Sequence, residues 1–407
     1  MDFMKNALVG QSGGPTAAIN ASLAGVIKAC ADSSAIDKIY GMVNGIEGFL
    51  KESLLDLSEN AKDDSFIDLL SKTPASYLGS CRYKLPKDDM AVFDKIFEIL
   101  DKYNIGYFFY IGGNDSMDTV LKLSKIAKEK GSDIKFVGVP KTIDNDLPIT
   151  DHTPGYGSAA KYIATTVREI SLDSLVYEAK SVTIVEIMGR DAGWLTAAAA
   201  LGRGDGLGPD LIYLPEVAFS FDGFIDDLKE VLKYKNNVIV AVSEGVRTGV
   251  GKYVCEAASS GGKDVFGHTQ LGGTARVLEN FVRSTLKIKA RGVELNVCQR
   301  AAGHILSKTD IEESFAAGSG AVSLALSGKT GVMAIIERVS DAPYETKISE
   351  GDIEKIANLV KSVPENYINK AGNDVTDEFV AYASPLILGE VALAYENGVP
   401  KTAVRKR

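Results

Sequence analysis

Short apolar runs recur along the chain, each closing on a polar turn rich in glycine or proline and followed by a longer stretch of helical periodicity. The pattern predicts strands at 6–10, 38–43, 106–111, 136–139, 181–187, 210–214, 238–242, 292–297 and 331–338. It predicts helices at 17–31, 117–130, 159–179, 195–201, 221–234, 274–287 and 309–326. Beyond Pro343 the chain reads as a polar, partly helical tail. Strands alternating with helices of ten or more residues specify an α/β architecture with largely parallel sheets and right-handed crossovers. The units exceed one comfortable sheet, which places a boundary near Thr150–Gly155 and a cleft between two domains. The first domain is expected to span 1–150 and to be rejoined by about 300–350. The second is expected to span 151–299, joined by the tail 351–407.

Ligands of open α/β sheets bind outside the carboxyl ends of the strands, so the turns there carry the functional information. The run Phe136–Val139 stops at Pro140, which cannot donate to a ladder and turns the chain out of the sheet. Lys141, Thr142, Asp144 and Asp146 follow at once. Two carboxylates this close cannot both be buried without partners. The stretch is either a polar loop capping the next helix or a pair with one base and one acidic wall or metal ligand. Gly13-Gly14-Pro15 after the first strand suits an anion at a helix start or plain turn chemistry, and it is neither a Walker A nor a G-x-G-x-x-G pattern. Gly112-Gly113-Asn114-Asp115-Ser116 offers glycines, an amide, a carboxylate and a hydroxyl at one strand end, as a phosphate-and-metal site does. Similar turns serve several kinase folds, so this one indicates reaction class rather than substrate. Arg82 and Lys84 are solvated surface charges or a grip on phosphate oxygens. Met188-Gly189-Arg190, Ser243-Glu244-Gly245 and Cys298-Gln299-Arg300 close three later strands.

With 45% hydrophobic and 24% charged residues in 407, the composition is that of a soluble globular protein. The formal net charge of −9 argues against nonspecific nucleic-acid binding, which needs excess Lys and Arg. Four scattered cysteines and three histidines give neither a C-x-x-C pair nor zinc spacing, and fit a reducing, cytoplasmic setting. The start Met1–Lys5 has no signal-peptide pattern, and no apolar run approaches a membrane span.

Pro140-Lys141-Thr142-Ile143-Asp144-Asn145-Asp146 and Met188-Gly189-Arg190, at this spacing, resemble the 6-phosphofructokinases, and the resemblance runs from Gly13 through Arg300. It implies two Rossmann-like domains, Mg²⁺, and phosphoryl transfer to the 1-hydroxyl of fructose 6-phosphate in a homodimer or homotetramer. By position, Asp144 matches the general base. Thr142, Ile143, Asp146, Met188, Gly189 and Glu244 match residues lining the sugar, and Arg190 a cation at the transferring group. Arg291 and Arg300 match cations on the 6-phosphate, one of them commonly supplied by a neighbouring subunit. Gly14, Arg82 and Gly113 match the donor-phosphate cradle, and Asn114 stands where an aspartate usually binds the metal. Two departures bear on the donor. Members using ATP have Gly-Gly-Asp-Gly and Pro-Gly-Thr-Ile-Asp, where this chain carries Asp115 and Lys141. The paired change resembles the pyrophosphate-dependent branch. Other departures are Ser181 in place of an arginine that reaches the neighbouring site, with Lys180 beside it, and Val297 in place of a histidine. The alternative is an ATP-dependent sugar-phosphate kinase of the same fold. A regulatory relative is disfavoured by the presence of Asp144 and Arg190.

Overall fold

The computed structural model describes residues 4–86, 89–257 and 273–405, so the start Met1–Phe3 lies outside the described residues. The strands are β1 (Lys5–Gln11), β2 (Ile36–Met42), β3 (Leu54–Asp56), β4 (Ile105–Gly112), β5 (Lys135–Pro140), β6 (Ser181–Ile187), β7 (Leu211–Tyr213), β8 (Asn237–Ser243), β9 (Lys289–Glu294), β10 (Val332–Asp341) and β11 (Tyr344–Asp352), with a short exposed hairpin after them. The helices are α1 (Ile19–Ala31), α2 (Gly45–Phe49), α3 (Asp64–Ser71), α4 (Met90–Lys102), α5 (Asn114–Lys130), α6 (Tyr156–Leu175), α7 (Trp194–Ala197), α8 (Phe221–Val231), α9 (Thr274–Leu286), α10 (Lys308–Leu326) and α11 (Asp377–Ala383).

One sheet has seven strands in the order β11-β10-β5-β4-β1-β2-β3, and the other has four in the order β7-β8-β6-β9. The central strands of the first are parallel, and each edge carries one antiparallel strand, β3 and β11. All neighbours in the second sheet are parallel. β4 and β5 are buried on both faces, which is why they read as continuous apolar runs rather than alternating ones. The chain builds the second sheet and then returns, through α10, to add β10 and β11 to the first.

Several boundaries differ from the sequence pattern. The segment after Pro343 is strand β11, not part of a polar, partly helical tail. Tyr344, Thr346 and Ile348 are half-buried on it while Glu345 and Lys347 face solvent, as suits an edge strand with one wet face. Helix α5 starts at Asn114 rather than Met117, which puts Asn114 and Asp115 in its first turn. Helix α6 ends at Leu175. Strand β9 covers Lys289–Glu294, and Asn296–Arg300 forms a 3-10 turn where the pattern suggested strand to Val297. The stretch after Trp194 divides into α7 and a 3-10 turn over Ala198–Gly202. Among the described residues no helix is long and apolar enough to cross a membrane.

Register places the functional turns. Gln11 pairs with Ile111, and Gly112 with Pro140, so the turns after β1, β4 and β5 leave one edge of the first sheet together. Ile187 pairs with Ser243, and Glu186 with Glu294, which does the same for the turns after β6, β8 and β9.

Candidate active site

Two buried amides bring a further segment to the first of these edges. Gln11 Nε2 donates to Asn20 Oδ1 (2.9 Å), Asn20 Nδ2 donates to Thr73 O (2.9 Å), and the Leu78 N–H donates to Gln11 Oε1 (2.9 Å). These bonds satisfy groups with no access to water and fix residues 73–82 across the end of β1. Ser80 Oγ therefore reaches Gly13 O (2.6 Å).

Lys141 leaves β5 and turns back onto the same place. Its backbone N–H donates to Gly112 O (3.0 Å), and its Nζ donates to Gly14 O (2.7 Å). Its residual exposure is only 3%, and burial pushes the ammonium down to about 8, against the pull of Asp144 and Asp146. A Cβ on Gly13 would lie 3.4 Å from Lys141 Nζ, and one on Gly14 would lie 3.4 Å from a terminal nitrogen of Arg300. Arg82 is near enough to Arg300 that, after burial, it is the next influence weakening that guanidinium's hold on its proton. Asp115, in the first turn of α5, pairs with Lys84 at 3.4 Å. Gly113 caps the same helix.

The loop after Lys141 is shaped by its own polar side chains. Thr142 Oγ1 accepts from the Asp144 N–H (3.0 Å), and Asn145 takes left-handed backbone (φ 54°) while its Oδ1 accepts from the Thr153 N–H (3.0 Å). Ile143 is buried in the core beneath. Asp144 keeps some solvent contact as a residue, but its carboxyl lies deep among protein atoms. Burial raises its proton affinity; Asp146 and Glu244 add to the rise, and Lys141 and Arg190 oppose it. Asp146 is raised as well, chiefly by burial.

The second sheet supplies the opposite wall. The Gly189 N–H donates to Glu244 Oε1 (3.4 Å), and the Met188 N–H donates to Gln299 Oε1 (3.1 Å). Gly189 has φ 137°, and a Cβ on Gly245 would sit 2.0 Å from Arg190 O, so both glycines are required for the two turns to touch. Burial pushes Glu244 up to about 7, with Glu186 adding to the rise and Arg190 and Arg300 opposing it. Arg190 Nε and Arg300 Nε are buried donors without a protein acceptor. Lys141, Arg190 and Arg300 thus meet Asp144, Asp146 and Glu244 between the carboxyl edges of the two sheets. Cations with unused donors can hold an anion, and a carboxylate with raised proton affinity can take a proton near neutral pH.

For a divalent cation the fit is partial but specific. Asn114 Oδ1 is buried and receives no hydrogen bond, while its Nδ2 lies 3.5 Å from Asp146 Oδ2. A bare amide oxygen beside a carboxylate is a hard-oxygen environment of the kind Mg²⁺ accepts. Among the described residues no group of three His, Cys, Asp or Glu side chains could hold a metal by itself.

Not every residue predicted from sequence joins the cluster. Arg291 lies mid-strand on the outer strand β9, opposite Thr183 and exposed, with its guanidinium 3.5 Å from Asp173 of α6. Lys180 donates to Leu232 O (2.8 Å), and Val297 is 54% exposed. Conversely, the sequence pattern marks the Cys-Gln-Arg stretch as a strand end but gives no sign that Gln299 is the acceptor for Met188. It also missed Lys361, whose backbone N–H donates to Asp146 O (2.7 Å) and which carried no local signal.

Two α/β layers thus enclose a cleft lined by buried cations and carboxylates, and the chain matches the family described as Phosphofructokinase over residues 6–293. The chain belongs to the phosphofructokinase family. It is 42% identical to the pyrophosphate–fructose 6-phosphate 1-phosphotransferase of Halomonas elongata over 98% of this chain and 95% of that protein. It is 44% identical to the protein of the same name from Xanthomonas campestris pv. campestris, over 97% and 95%. Among solved structures it resembles a pyrophosphate-dependent phosphofructokinase from Nitrosospira multiformis, with TM-score 0.89, 40% identity, and coverage of 98% of this chain and 96% of that one.

Proposed function

We propose that this protein reversibly transfers a phosphoryl group from pyrophosphate to the 1-hydroxyl of fructose 6-phosphate, giving fructose 1,6-bisphosphate and phosphate. Relatives bearing the name of that activity, matched over nearly the whole chain, support the reaction. The observation that carries the donor is Lys141: a buried ammonium bonded to Gly14 O at 2.7 Å, beside the Gly13–Gly14 turn.

In this reading the Asp144 carboxylate accepts the proton of the 1-hydroxyl as its oxygen bonds to phosphorus. The bond from that phosphorus to the bridging oxygen of pyrophosphate breaks, and phosphate leaves. Lys141 and Arg190 neutralise the charge that spreads over the transferring group, in a cleft where a fixed cation is worth more than in water. Gly14, Gly113 and Arg82 cradle the donor. Thr142, Ile143, Asp146, Met188, Gly189 and Glu244 line the sugar. Arg300, at the junction of the two walls, takes the 6-phosphate together with an Arg291 from a neighbouring subunit, which makes the active form a homodimer or homotetramer. The placement of Arg291 on the outer strand β9, exposed and 3.5 Å from Asp173, supports that sharing. Asn114 Oδ1 would contribute to holding Mg²⁺, which supplies charge neutralisation to the donor oxygens when bound. The enzyme works in the cytoplasm on these small molecules, without nucleic acid or membrane.

Purified protein with fructose 6-phosphate and Mg²⁺ is given pyrophosphate in one cuvette and ATP in another. Turnover with pyrophosphate and barely any with ATP is expected, and the reverse preference would remove the reading.

A further inference from the structure

The carboxyl-terminal segment carries side chains that the reaction above does not use but that grip its loop. Besides the bond from its N–H to Asp146 O, Lys361 donates from Nζ to Thr150 O (3.1 Å) and Asp151 O (2.8 Å). One residue therefore holds both ends of the stretch 146–151. Its carbonyl in turn accepts from Trp194 Nε1 (2.8 Å), and its ammonium stands 5.1 Å from the indole centroid. The second sheet's wall and the loop are thus tied through one tail residue. Tyr382 of α11 makes a parallel link: Asn145 Nδ2 donates to its hydroxyl (3.0 Å), which donates to Asp151 O (2.8 Å).

The loop needs such ties. Asn145 and Ile149 both hold left-handed backbone, with φ of 54° and 58°. For a β-branched residue that conformation is an outlier, kept only where the surroundings over-determine it. Ile149 lies within the stretch that Lys361 spans. Its far end is anchored independently, because Arg338 donates to Asp151 Oδ2 from two nitrogens (3.2 and 2.9 Å).

We propose that Lys361 and Tyr382 are positioning residues for phosphoryl transfer, holding Asn145–Asp151 so that Asp144 and Asp146 stand at a fixed place in the cleft. The inference rests on the reading of Asp144 as the base. A tail that merely stabilised the fold would leave turnover unchanged in any variant that still folds. A tail that holds the reacting geometry affects kcat and spares the binding of either substrate.

The test uses the full chain as wild type, Lys361→Met and Tyr382→Phe, each checked for folding by thermal unfolding. Rates are measured with the donor wild type prefers, so that failure with pyrophosphate counts against the proposed reaction and not against the positioning. In folded Lys361→Met, kcat is expected to fall about 10²-fold, as misplacement of a reacting group does, with both KM values within about threefold. Trp194 is the chain's one tryptophan, and its emission is expected to change when the ammonium leaves its ring. In Tyr382→Phe, which loses only a hydroxyl, kcat is expected to fall about fivefold, the worth of one hydrogen bond. The proposal is overturned if folded Lys361→Met keeps kcat within about twofold, raises KM alone, or leaves Trp194 emission unaltered. If Lys361→Met fails to fold, Tyr382→Phe decides: a loss in kcat at steady KM supports the positioning, and unchanged kcat overturns it.

Discussion

Asp144 and Asp151 sit on the same loop, yet their surroundings move their acidities in opposite directions. Burial raises Asp144, and its carboxylate neighbours Asp146 and Glu244 raise it further than Lys141 and Arg190 bring it down. Burial also pulls on Asp151, but hydrogen bonds from His152 and Arg338 outweigh it, and its carboxyl ends below the ordinary range. The protonated His152 ring donates from both nitrogens, to Asp151 Oδ2 at 2.7 Å and to Glu313 Oε2 at 2.6 Å. Glu313 also accepts from Tyr344 and Thr346, each at 2.8 Å. The back of the loop is a closed network in which each charge meets its opposite. The front keeps carboxylates short of partners and cations short of acceptors. A satisfied network fixes geometry, whereas an unsatisfied one has capacity left for substrate.

The largest effect should come from the front. Asp144→Asn is expected to lose about 10²–10⁴ of kcat, the usual contribution of a general base, with a far smaller change in fructose 6-phosphate affinity by calorimetry. A variant retaining most of its turnover would erase the functional side of the contrast. The back should respond in stability. His152→Gln leaves Asp151 and Glu313 without their shared cation, and breaking a buried charged contact costs about 3–5 kcal/mol, read from denaturant unfolding at pH 6.5.

The same histidine sets a pH dependence. Burial disfavours its charged form, but the hydrogen bonds and charges of Asp151 and Glu313 prevail and push it from 6.5 up to about 9. A proton held more tightly in the folded state contributes stability in full below 6.5, and that contribution is lost as pH rises through about 9. Lys141 and Lys361, each lowered to about 8 by burial, work the other way at the alkaline end. The expected result is therefore a difference: between pH 6.5 and 9 wild type loses more stability than His152→Gln, and parallel curves would show that the network does not hold a proton. The smallest effect is expected at the half-exposed pair of Lys84 and Asp115. Lys84→Ala should change unfolding free energy by less than about 1 kcal/mol, and a larger loss would move that pair to the structural side.

Much of the front was legible from sequence because its residues cluster at strand ends, where an apolar run followed by Gly or Pro marks the turn. Lys141 to Asp146 and Met188 to Arg190 are such stretches. The back was not legible, since its contacts join residues far apart in the chain: His152 with Glu313, Lys361 with Asp146, Asn145 with Tyr382. No short pattern surrounds those residues, and their polarity reads as surface. Strand β11 is hard to read for a related reason: its half-buried face carries Tyr344 and Thr346 beside Ile348, so few aliphatic residues mark it. Arg291 was placed ahead of a strand at 292–297 and lies inside β9 instead, because β9 begins with Lys289-Ala290-Arg291, too polar to register as apolar.

We propose that Lys141 and Asp115 together select pyrophosphate over ATP. Donor titrations of wild type, Lys141→Gly and Asp115→Gly at fixed fructose 6-phosphate and Mg²⁺ test it directly. In the proposed reading Lys141 would supply the charge that a leaving group without adenosine requires, and Asp115 would crowd and repel the additional phosphate of a nucleotide. Wild type should use pyrophosphate and barely use ATP, Lys141→Gly should lose about 10²–10³ of its pyrophosphate turnover, and Asp115→Gly should acquire measurable ATP activity. Wild type preferring ATP, or Asp115→Gly with unaltered donor selectivity, would contradict the claim.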